Sequence, residues 1–195
     1  MGAMDKKTVV WVTGPAASGK NEVCGILKKR SFLIIDADKI GHEVLEKKKN
    51  SVKRAFGAWV IKNGKVDRKD LRRIVFGSRS ALKKLNAIVH PELIKSIKHK
   101  VRAAGRRNIA INAALYKELS AGCPDAYVIS VLASRGARVK RLLLSRKTGL
   151  KDVLSLISLQ QKDSYYKKVA DVVILNDSSM KDLQKQVLKA IGPQI

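Results

Sequence analysis

Residues 14–21 read Gly-Pro-Ala-Ala-Ser-Gly-Lys-Asn, and they match the phosphate-binding pattern G-x-x-x-x-G-K-[ST] at Gly14, Gly19 and Lys20. In such a loop the backbone N–H groups surround phosphate oxygens, and the lysine ammonium adds positive charge at the β- and γ-phosphates. The last position, where a Ser or Thr hydroxyl binds Mg²⁺, is Asn21 here. The motif predicts chemistry on a nucleotide phosphate with a weak metal contact, and an ordinary turn before a helix is the alternative.

Two carboxylates follow the next apolar run, because residues 31–35 lead directly into Asp36-Ala37-Asp38. Carboxylates at the carboxyl end of a parallel strand lie at the edge where open α/β sheets bind ligands. A carboxylate placed there can accept the proton of a hydroxyl nucleophile during phosphoryl transfer. Capping of the following helix is the alternative role for both residues.

The hydrophobic pattern predicts the elements that must position these groups. Short apolar runs of the kind that form buried strands occur at residues 8–13, 31–35, 108–112, 125–132 and 171–175. Helical patterns occur at residues 22–30, 39–104, 135–168 and 179–190. Within them, Asp67 can cap a helix, and His90-Pro91 interrupts a long helix between residues 80 and 101. Strands separated by helices predict a parallel sheet of about five strands, covered on both faces.

Composition indicates a soluble, cytoplasmic protein with one domain of ordinary size. The chain has 195 residues, of which 45% are hydrophobic, so it can bury a sizeable core. No apolar run approaches the ~18–20 residues of a membrane span, and no secretory segment is visible. The two cysteines, Cys24 and Cys123, have the spacing of neither a metal site nor a disulfide framework.

The charge balance is strongly basic, with 41 Lys and Arg against 16 Asp and Glu and a formal net charge of +25. Such a field attracts polyanions, which makes nucleic-acid binding a rival function. The cations are scattered along the chain, aromatic residues make up only 5%, and no nucleic-acid-binding motif is visible. We therefore expect non-specific, salt-sensitive polyanion binding and no dedicated nucleic-acid partner.

Several segments together resemble the motifs of the dephospho-coenzyme A kinase family, in the family's order and over nearly the whole chain. Residues 32–44 are similar to V-I-D-A-D-x-I-x-R-x-V, residues 66–76 to D-R-x-x-L-R-x-x-V-F, residues 85–91 to L-x-x-I-x-H-P, and Gln160 with residues 170–176 to Q…A-D-x-V-I-x-N. The resemblance implies an α/β fold of the P-loop nucleoside-triphosphate hydrolase type, with three layers. It also implies a nucleotide-binding core at residues 1–38 and 105–195, a lid at about 135–168, and a helical CoA-binding insertion at 39–104.

The activity implied by the resemblance is the last step of coenzyme A biosynthesis. The γ-phosphate of ATP is transferred, with Mg²⁺, to the ribose 3′-hydroxyl of dephospho-CoA. This predicts a small-molecule substrate and no membrane partner, and it leaves the oligomeric state open.

The resemblance also assigns site residues. Asp38 matches the catalytic base, Lys20 the phosphate-binding lysine, and Arg141 and Arg146 the lid arginines, although either arginine could be an ordinary surface residue. The implied ATP-binding residues are Gly14, Ala17, Ser18, Gly19, Lys20, Asn21, Glu22 and Asn176. Asp36 and His90 are the implied substrate-side residues. A turn role for Asn176 and backbone capping at a helix kink for His90 are the alternatives.

The chain departs from the family pattern at several positions that bear on activity. Asn21 replaces the P-loop hydroxyl, Asn112 stands where the family has Asp after the third strand, and His42 replaces an Arg. Both Asn residues weaken the protein's hold on Mg²⁺, because amide oxygens bind it less strongly than carboxylates. We expect an active enzyme because Lys20 and Asp38 persist. The alternatives are a nucleotide-binding protein with weak or no activity, another phosphoryl acceptor, or a P-loop protein associated with nucleic acid.

Overall fold

The computed structural model describes residues 7–145 and 149–192 of the chain. Seven strands lie in this part, at Val9–Thr13 (β1), Leu33–Asp36 (β2), Ile61–Lys62 (β3), Lys65–Val66 (β4), Ile109–Asn112 (β5), Tyr127–Leu132 (β6) and Val172–Leu175 (β7). Ten α-helices lie between and after them, at Lys20–Lys29 (α1), Ala37–Lys47 (α2), Lys49–Phe56 (α3), Arg68–Gly77 (α4), Arg79–Ala103 (α5), Tyr116–Leu119 (α6), Arg135–Ser145 (α7), Leu150–Ser158 (α8), Asp163–Val169 (α9) and Met180–Ile191 (α10).

Five of these strands form one parallel sheet in the order β2-β5-β1-β6-β7. All five lie within two residues of the predicted runs, which confirms the predicted sheet. In the register of the sheet Asp36 is opposite Asn112, and Asn112 is opposite Val12. The carboxyl ends of β2, β5 and β1 are therefore level, so the residues that follow them share one edge of the sheet.

Helices cover both faces of the sheet, as predicted, because alternate strand residues point to opposite sides. On one face, α1 and α10 pack through Leu27 and Leu183 onto strand residues that include Val10 and Val12. On the other face, Trp11 and residues of β2, β5 and β6 pack against α2 and α5. The result is a three-layer α/β fold in which α1, directly after the glycine loop, is fixed against the sheet.

The helical block between β2 and β5 has a small core of its own, formed by Leu45, Val52, Val60, Val66 and Leu71. It also contains an antiparallel hairpin, β3 with β4, which corrects the prediction of a purely helical block. The turn is Asn63-Gly64, and both residues have positive φ angles, of 49° and 73°. Asn-Gly is a strong hairpin signal, but each strand is only two residues long and gives no alternating pattern.

The helix α5 is continuous for 25 residues, which corrects the predicted interruption at His90-Pro91. Proline lacks an N–H group, so the carbonyl four residues earlier loses its helical hydrogen bond. The helix nevertheless continues past Pro91, and Leu93 and Ile97 beyond it are buried against the sheet. Tertiary packing therefore outweighs the local cost of the proline.

Two capping predictions are confirmed by hydrogen bonds. Asp67 accepts from the backbone N–H groups of Lys69 and Asp70 at the start of α4. Asp36 accepts from the N–H of Lys39 at the start of α2. The predicted helical segment 135–168 is divided into α7, α8 and α9, and Arg146 lies outside the described residues. In the part of the chain that the structure describes, no helix is both long and apolar enough to cross a membrane.

Candidate active site

The glycine loop connects β1 to α1 and approaches its neighbours too closely for larger residues. The φ angles are 144° at Gly14 and 106° at Gly19, a region that favours glycine. A Cβ atom at Gly14 would lie 2.1 Å from the carbonyl oxygen of Val131, and one at Gly19 would lie 1.9 Å from the side-chain nitrogen of Asn176. Both glycines of the motif are therefore required by the packing of the loop against β6 and Asn176.

Three consecutive carbonyls of the loop accept hydrogen bonds from side chains outside it. Arg138 Nε donates to Ala16 O at 3.1 Å, Arg141 Nη1 donates to Ala17 O at 3.1 Å, and Asn176 Nδ2 donates to Ser18 O at 2.9 Å. These contacts fix the direction of the loop peptides. The first N–H groups of α1, directly after the loop, have no intrahelical partner and can bind an anion.

Lys20, at the start of α1, turns back over the loop. Its Nζ donates to the carbonyl oxygens of Gly14 and Pro15, each at 2.9 Å. Burial lowers the pKa of this half-buried ammonium from 10.5 to about 8, and the negative charge of Asp38 opposes that shift. The lysine is thus a cation that the apo site accommodates at a cost, and an anion bound in the loop would stabilise it.

Asp38 lies in the first turn of α2, where its carboxylate and Lys20 interact electrostatically. Although Asp38 is solvent-exposed, the surrounding protein desolvates its carboxylate enough to raise its pKa. The positive charge of Lys20 opposes this rise and the carboxylate of Asp36 adds to it. A carboxylate with a raised pKa beside a phosphate-binding lysine suits proton transfer from a hydroxyl group.

Asn21 and Asn112, two of the departures from the family pattern, are joined by a hydrogen bond. Asn112 Nδ2 donates to Asn21 Oδ1 at 2.8 Å. Both residues, together with Asp36, line a cavity of about 870 Å³ beside the open edge of β2. The oxygens gathered here, one carboxylate and the amide oxygen of Asn21, suit Mg²⁺, which commonly takes one or two protein carboxylates and completes its shell with phosphates and water. Among the described residues no group of three His, Cys, Asp or Glu side chains could hold a metal ion.

Four of the remaining predicted site residues are Ser18, Glu22, Asn176 and His90, and they differ in burial and contacts. Ser18 Oγ is buried and, within residues 7–145 and 149–192, has no hydrogen-bond partner. Glu22 is exposed in the first turn of α1. Asn176 is buried and holds Ser18 O, so it supports the loop. His90 is half-buried on α5, where burial lowers its pKa and Glu118 opposes that shift.

Arg141, the first predicted lid arginine, contacts the glycine loop from α7. Besides Ala17 O, its guanidinium donates to Asn176 O at 2.7 Å. Both acceptors are backbone carbonyls, so the residue supports the loop. Arg146, the second predicted lid arginine, lies outside the described residues.

Two residues that contact the loop were not predicted as site residues. Arg138 lies one helical turn before Arg141 on α7, and Gln160 lies between α8 and α9. Gln160 Oε1 accepts from Ala16 N at 3.1 Å and from Arg138 Nη2 at 2.7 Å. The i, i+3 spacing of Arg138 and Arg141, which puts them on one helix face, was the available signal.

Comparisons with known proteins agree with this geometry. Residues 8–182 match the family described as dephospho-CoA kinase. The dephospho-CoA kinase of Fusobacterium nucleatum is 32% identical over 182 residues, which cover 92% of this chain and 94% of that protein. A Thermus thermophilus protein of known structure superposes with a TM-score of 0.86 at 26% identity, covering 97% of this chain and 98% of the other. The structure of dephospho-CoA kinase from Campylobacter jejuni gives 0.70 at 26% identity, with coverage of 96% and 97%.

Proposed function

The chain belongs to the dephospho-CoA kinase family, and from this premise we propose that it transfers the γ-phosphate of ATP to the ribose 3′-hydroxyl of dephospho-CoA, giving CoA and ADP. The observation that carries the proposal is that Lys20, folded over a phosphate-binding loop, interacts electrostatically with Asp38. One group binds the migrating phosphate and the other accepts the proton of the nucleophile, so the two halves of the reaction meet in one cleft.

The loop and Lys20 bind the triphosphate. When phosphate oxygens enter the loop, the N–H groups at the start of α1 can bind them. The Lys20 ammonium then exchanges the carbonyl oxygens of Gly14 and Pro15 for the β- and γ-phosphates, where negative charge favours its protonated form. Arg141 and Asn176 keep the loop carbonyls turned toward α7 and β7 while this occurs.

Asp38 accepts the proton from the ribose 3′-hydroxyl as the transfer proceeds. The new bond joins that oxygen to the γ-phosphorus, the bond from the γ-phosphorus to the β,γ-bridging oxygen breaks, and the proton moves to the Asp38 carboxylate. The raised pKa of Asp38 makes it a better proton acceptor than an ordinary carboxylate. Residues 39–104, which follow Asp38 and carry His90, then form the dephospho-CoA side of the site, and residues 135–168 form its lid.

A magnesium ion would be held by Asp36 and by the amide oxygen of Asn21, with most of its shell supplied by phosphate oxygens and water. When bound, it neutralises phosphate charge. Asp36 is suited to this role because it follows β2 directly, and its cap to Lys39 N uses only one carboxylate oxygen. Asn112 holds the side chain of Asn21 in place.

A coupled assay with ATP, Mg²⁺ and dephospho-CoA tests the proposed function. We expect CoA and ADP to form in equal amounts. The substrate is soluble, and we propose that the enzyme acts in the cytoplasm. No turnover, with ATP binding intact by calorimetry, would contradict the proposal. That outcome would favour the alternative of a nucleotide-binding protein without activity, which is supported by the mutual bonding of Asn21 and Asn112.

A carboxylate at position 112, the last residue of β5, should lower the Mg²⁺ concentration that the enzyme requires. We expect Asn112→Asp to lower the Mg²⁺ concentration for half-maximal rate by about three- to tenfold, because carboxylates bind Mg²⁺ more strongly than amides. The measurement is initial rate against free Mg²⁺ at saturating ATP. The control, Asn50→Asp, makes the same charge change on the exposed surface of α3. An unchanged magnesium requirement would show that Asn112 lies outside the metal site.

ATP affinity should depend on pH through Lys20. Because the pKa of Lys20 is about 8 in the apo protein and phosphate raises it in the complex, binding takes up a proton above pH 8. Affinity should be constant below pH 8 and fall as pH rises above it, by up to about tenfold per pH unit. Calorimetry in buffers of different ionisation enthalpy measures the proton uptake. In Lys20→Arg, whose charge persists throughout, the dependence should disappear; if it persisted, another group would be responsible.

A further inference from the structure

Arg138 is an arginine with only 5% of its surface exposed, although it lies on the outer helix α7. All three guanidinium nitrogens face groups of the protein. Nε donates to Ala16 O, Nη2 donates to Gln160 Oε1, and Nη1 lies 3.7 Å from Asp163 Oδ1. Burying a guanidinium is costly unless its donors are satisfied, so this placement requires a fixed arrangement of partners.

The contacts form a closed ring around one residue of the phosphate-binding loop, Ala16. Gln160 Oε1 accepts from Ala16 N and from Arg138, while Arg138 donates to Ala16 O. Both the N–H and the C=O of Ala16 are therefore held by the same pair of side chains. The following residue, Ala17, has a φ of 58°, which is unfavourable for a residue with a Cβ atom, so the loop needs external support to keep its shape.

The ring also joins two elements that flank α8. Arg138 lies on α7, before α8. Gln160 and Asp163 lie after α8, and Asp163 is the first residue of α9. The chain segments before and after α8 are thus both linked to Ala16. If either segment were displaced, at least one hydrogen bond of the ring would break. Ala16 would then lose part of its support.

The charge of Arg138 favours an anion in the loop. It acts unfavourably on Lys20, which lies on the other side of the same loop. Asp163, the carboxylate that faces Arg138 within the described residues, is exposed and lies beyond hydrogen-bond distance. Two cations therefore border the loop, and a phosphate bound there would interact favourably with both.

We propose that Arg138 is the positioning residue through which α7 and the residues around the start of α9 hold Ala16 and keep the loop in its phosphate-binding form. It is a positioning residue because its donors are used by protein groups. The inference rests on the proposed function only in taking ATP as the ligand. Its consequence is that a displacement of α7 or of the start of α9 would disturb the loop.

The test compares Arg138→Gln and Arg138→Lys with wild type in the full-length protein. We expect the Gln variant to weaken ATP binding by about 10- to 100-fold, because it removes a charged hydrogen bond. Its KM for dephospho-CoA should stay within about twofold of wild type, and hydrogen exchange should accelerate in residues 14–21 specifically. Arg138→Lys should recover part of the affinity, because lysine keeps the charge but reaches only one of the two acceptors.

Arg135→Gln is the matched control, since Arg135 is an exposed arginine on the same helix and the charge change is identical. It should leave ATP affinity and exchange unchanged. The proposal is overturned if Arg138→Gln binds ATP as wild type does, or if it weakens both substrates equally with faster exchange throughout the protein. If wild type binds ATP but never phosphorylates dephospho-CoA, the proposed function fails, while ATP binding and exchange still decide the role of Arg138.

Discussion

Replacing Asp38 with Asn should lower kcat by about 10²- to 10⁴-fold and leave the dissociation constant of ATP within about twofold of wild type. The amide has nearly the same shape as the carboxylate but cannot take the proton of the 3′-hydroxyl. ATP affinity should persist because the loop and Lys20, which bind the phosphates, remain in place. The measurements are single-turnover rates and calorimetric ATP binding.

The Asp38 experiment should be run at about pH 7, because the carboxylate helps to keep Lys20 protonated. Near pH 8 its loss would also reduce the charge on Lys20, and a binding defect would be mixed with the catalytic one. Glu43→Gln is the matched control, since Glu43 is an exposed carboxylate on the same helix. If Asp38→Asn retained wild-type turnover, another group would have to be the base.

Replacing Lys20 with Met should have two opposite effects, a loss of activity and a gain in stability. The folded pKa of about 8 lies below the unfolded value of 10.5, so the unfolded chain binds more protons between these pH values. Wild-type stability should therefore rise with pH across that window, and below pH 8 the charged lysine costs the folded state its full penalty. At pH 7 we expect Lys20→Met to be more stable by on the order of 1–3 kcal/mol.

The same substitution should reduce kcat/KM for ATP by about 10²- to 10³-fold, because it removes a cation that stabilises the transferring phosphate. Urea unfolding at pH 7 and at about pH 10 measures the stability, and the advantage of the variant should shrink at the higher pH. Lys28→Met, at an exposed position on the same helix, controls for the change of residue type. A variant that lost activity and stability together would mean that the two carbonyl hydrogen bonds of Lys20 outweigh its desolvation.

The sheet and the glycine loop could be predicted because their signals are local. Each strand is a short run of β-branched and apolar residues, and the spacing of Gly14, Gly19 and Lys20 lies within eight consecutive letters. These features depend on nearest neighbours along the chain, which a single sequence displays.

The features that could not be predicted depend on residues far apart in the sequence. Asn21 and Asn112 could each be identified as unusual, but their hydrogen bond joins positions 91 residues apart. The ring around Ala16 joins it to residues 122 and 144 positions away. One arginine among 41 cations gives no sign that it is buried, so Arg138 could be recognised only from its contacts.

The wrong predictions have the same origin. The pattern at His90-Pro91 predicted an interruption of α5, but partly buried residues before Pro91 and buried residues after it hold the helix in line. The hairpin at Asn63-Gly64 had a readable turn signal, but its strands are too short to show a period. In both cases the local sequence pattern was too weak to predict the structure that forms, a continuous helix in one and a short hairpin in the other.

The continuity of α5 has a consequence for how the cleft can close around two substrates. Its first half packs in the core of the helical block through Leu85 and Ile88, and its second half packs on the sheet through Leu93 and Ile97. At 25 residues it is a rod of about 37 Å that belongs to both bodies, so neither can rotate freely against the other. We expect the acceptor side to keep its orientation relative to the sheet when substrates bind. Dephospho-CoA would then meet a site whose geometry is set before ATP arrives.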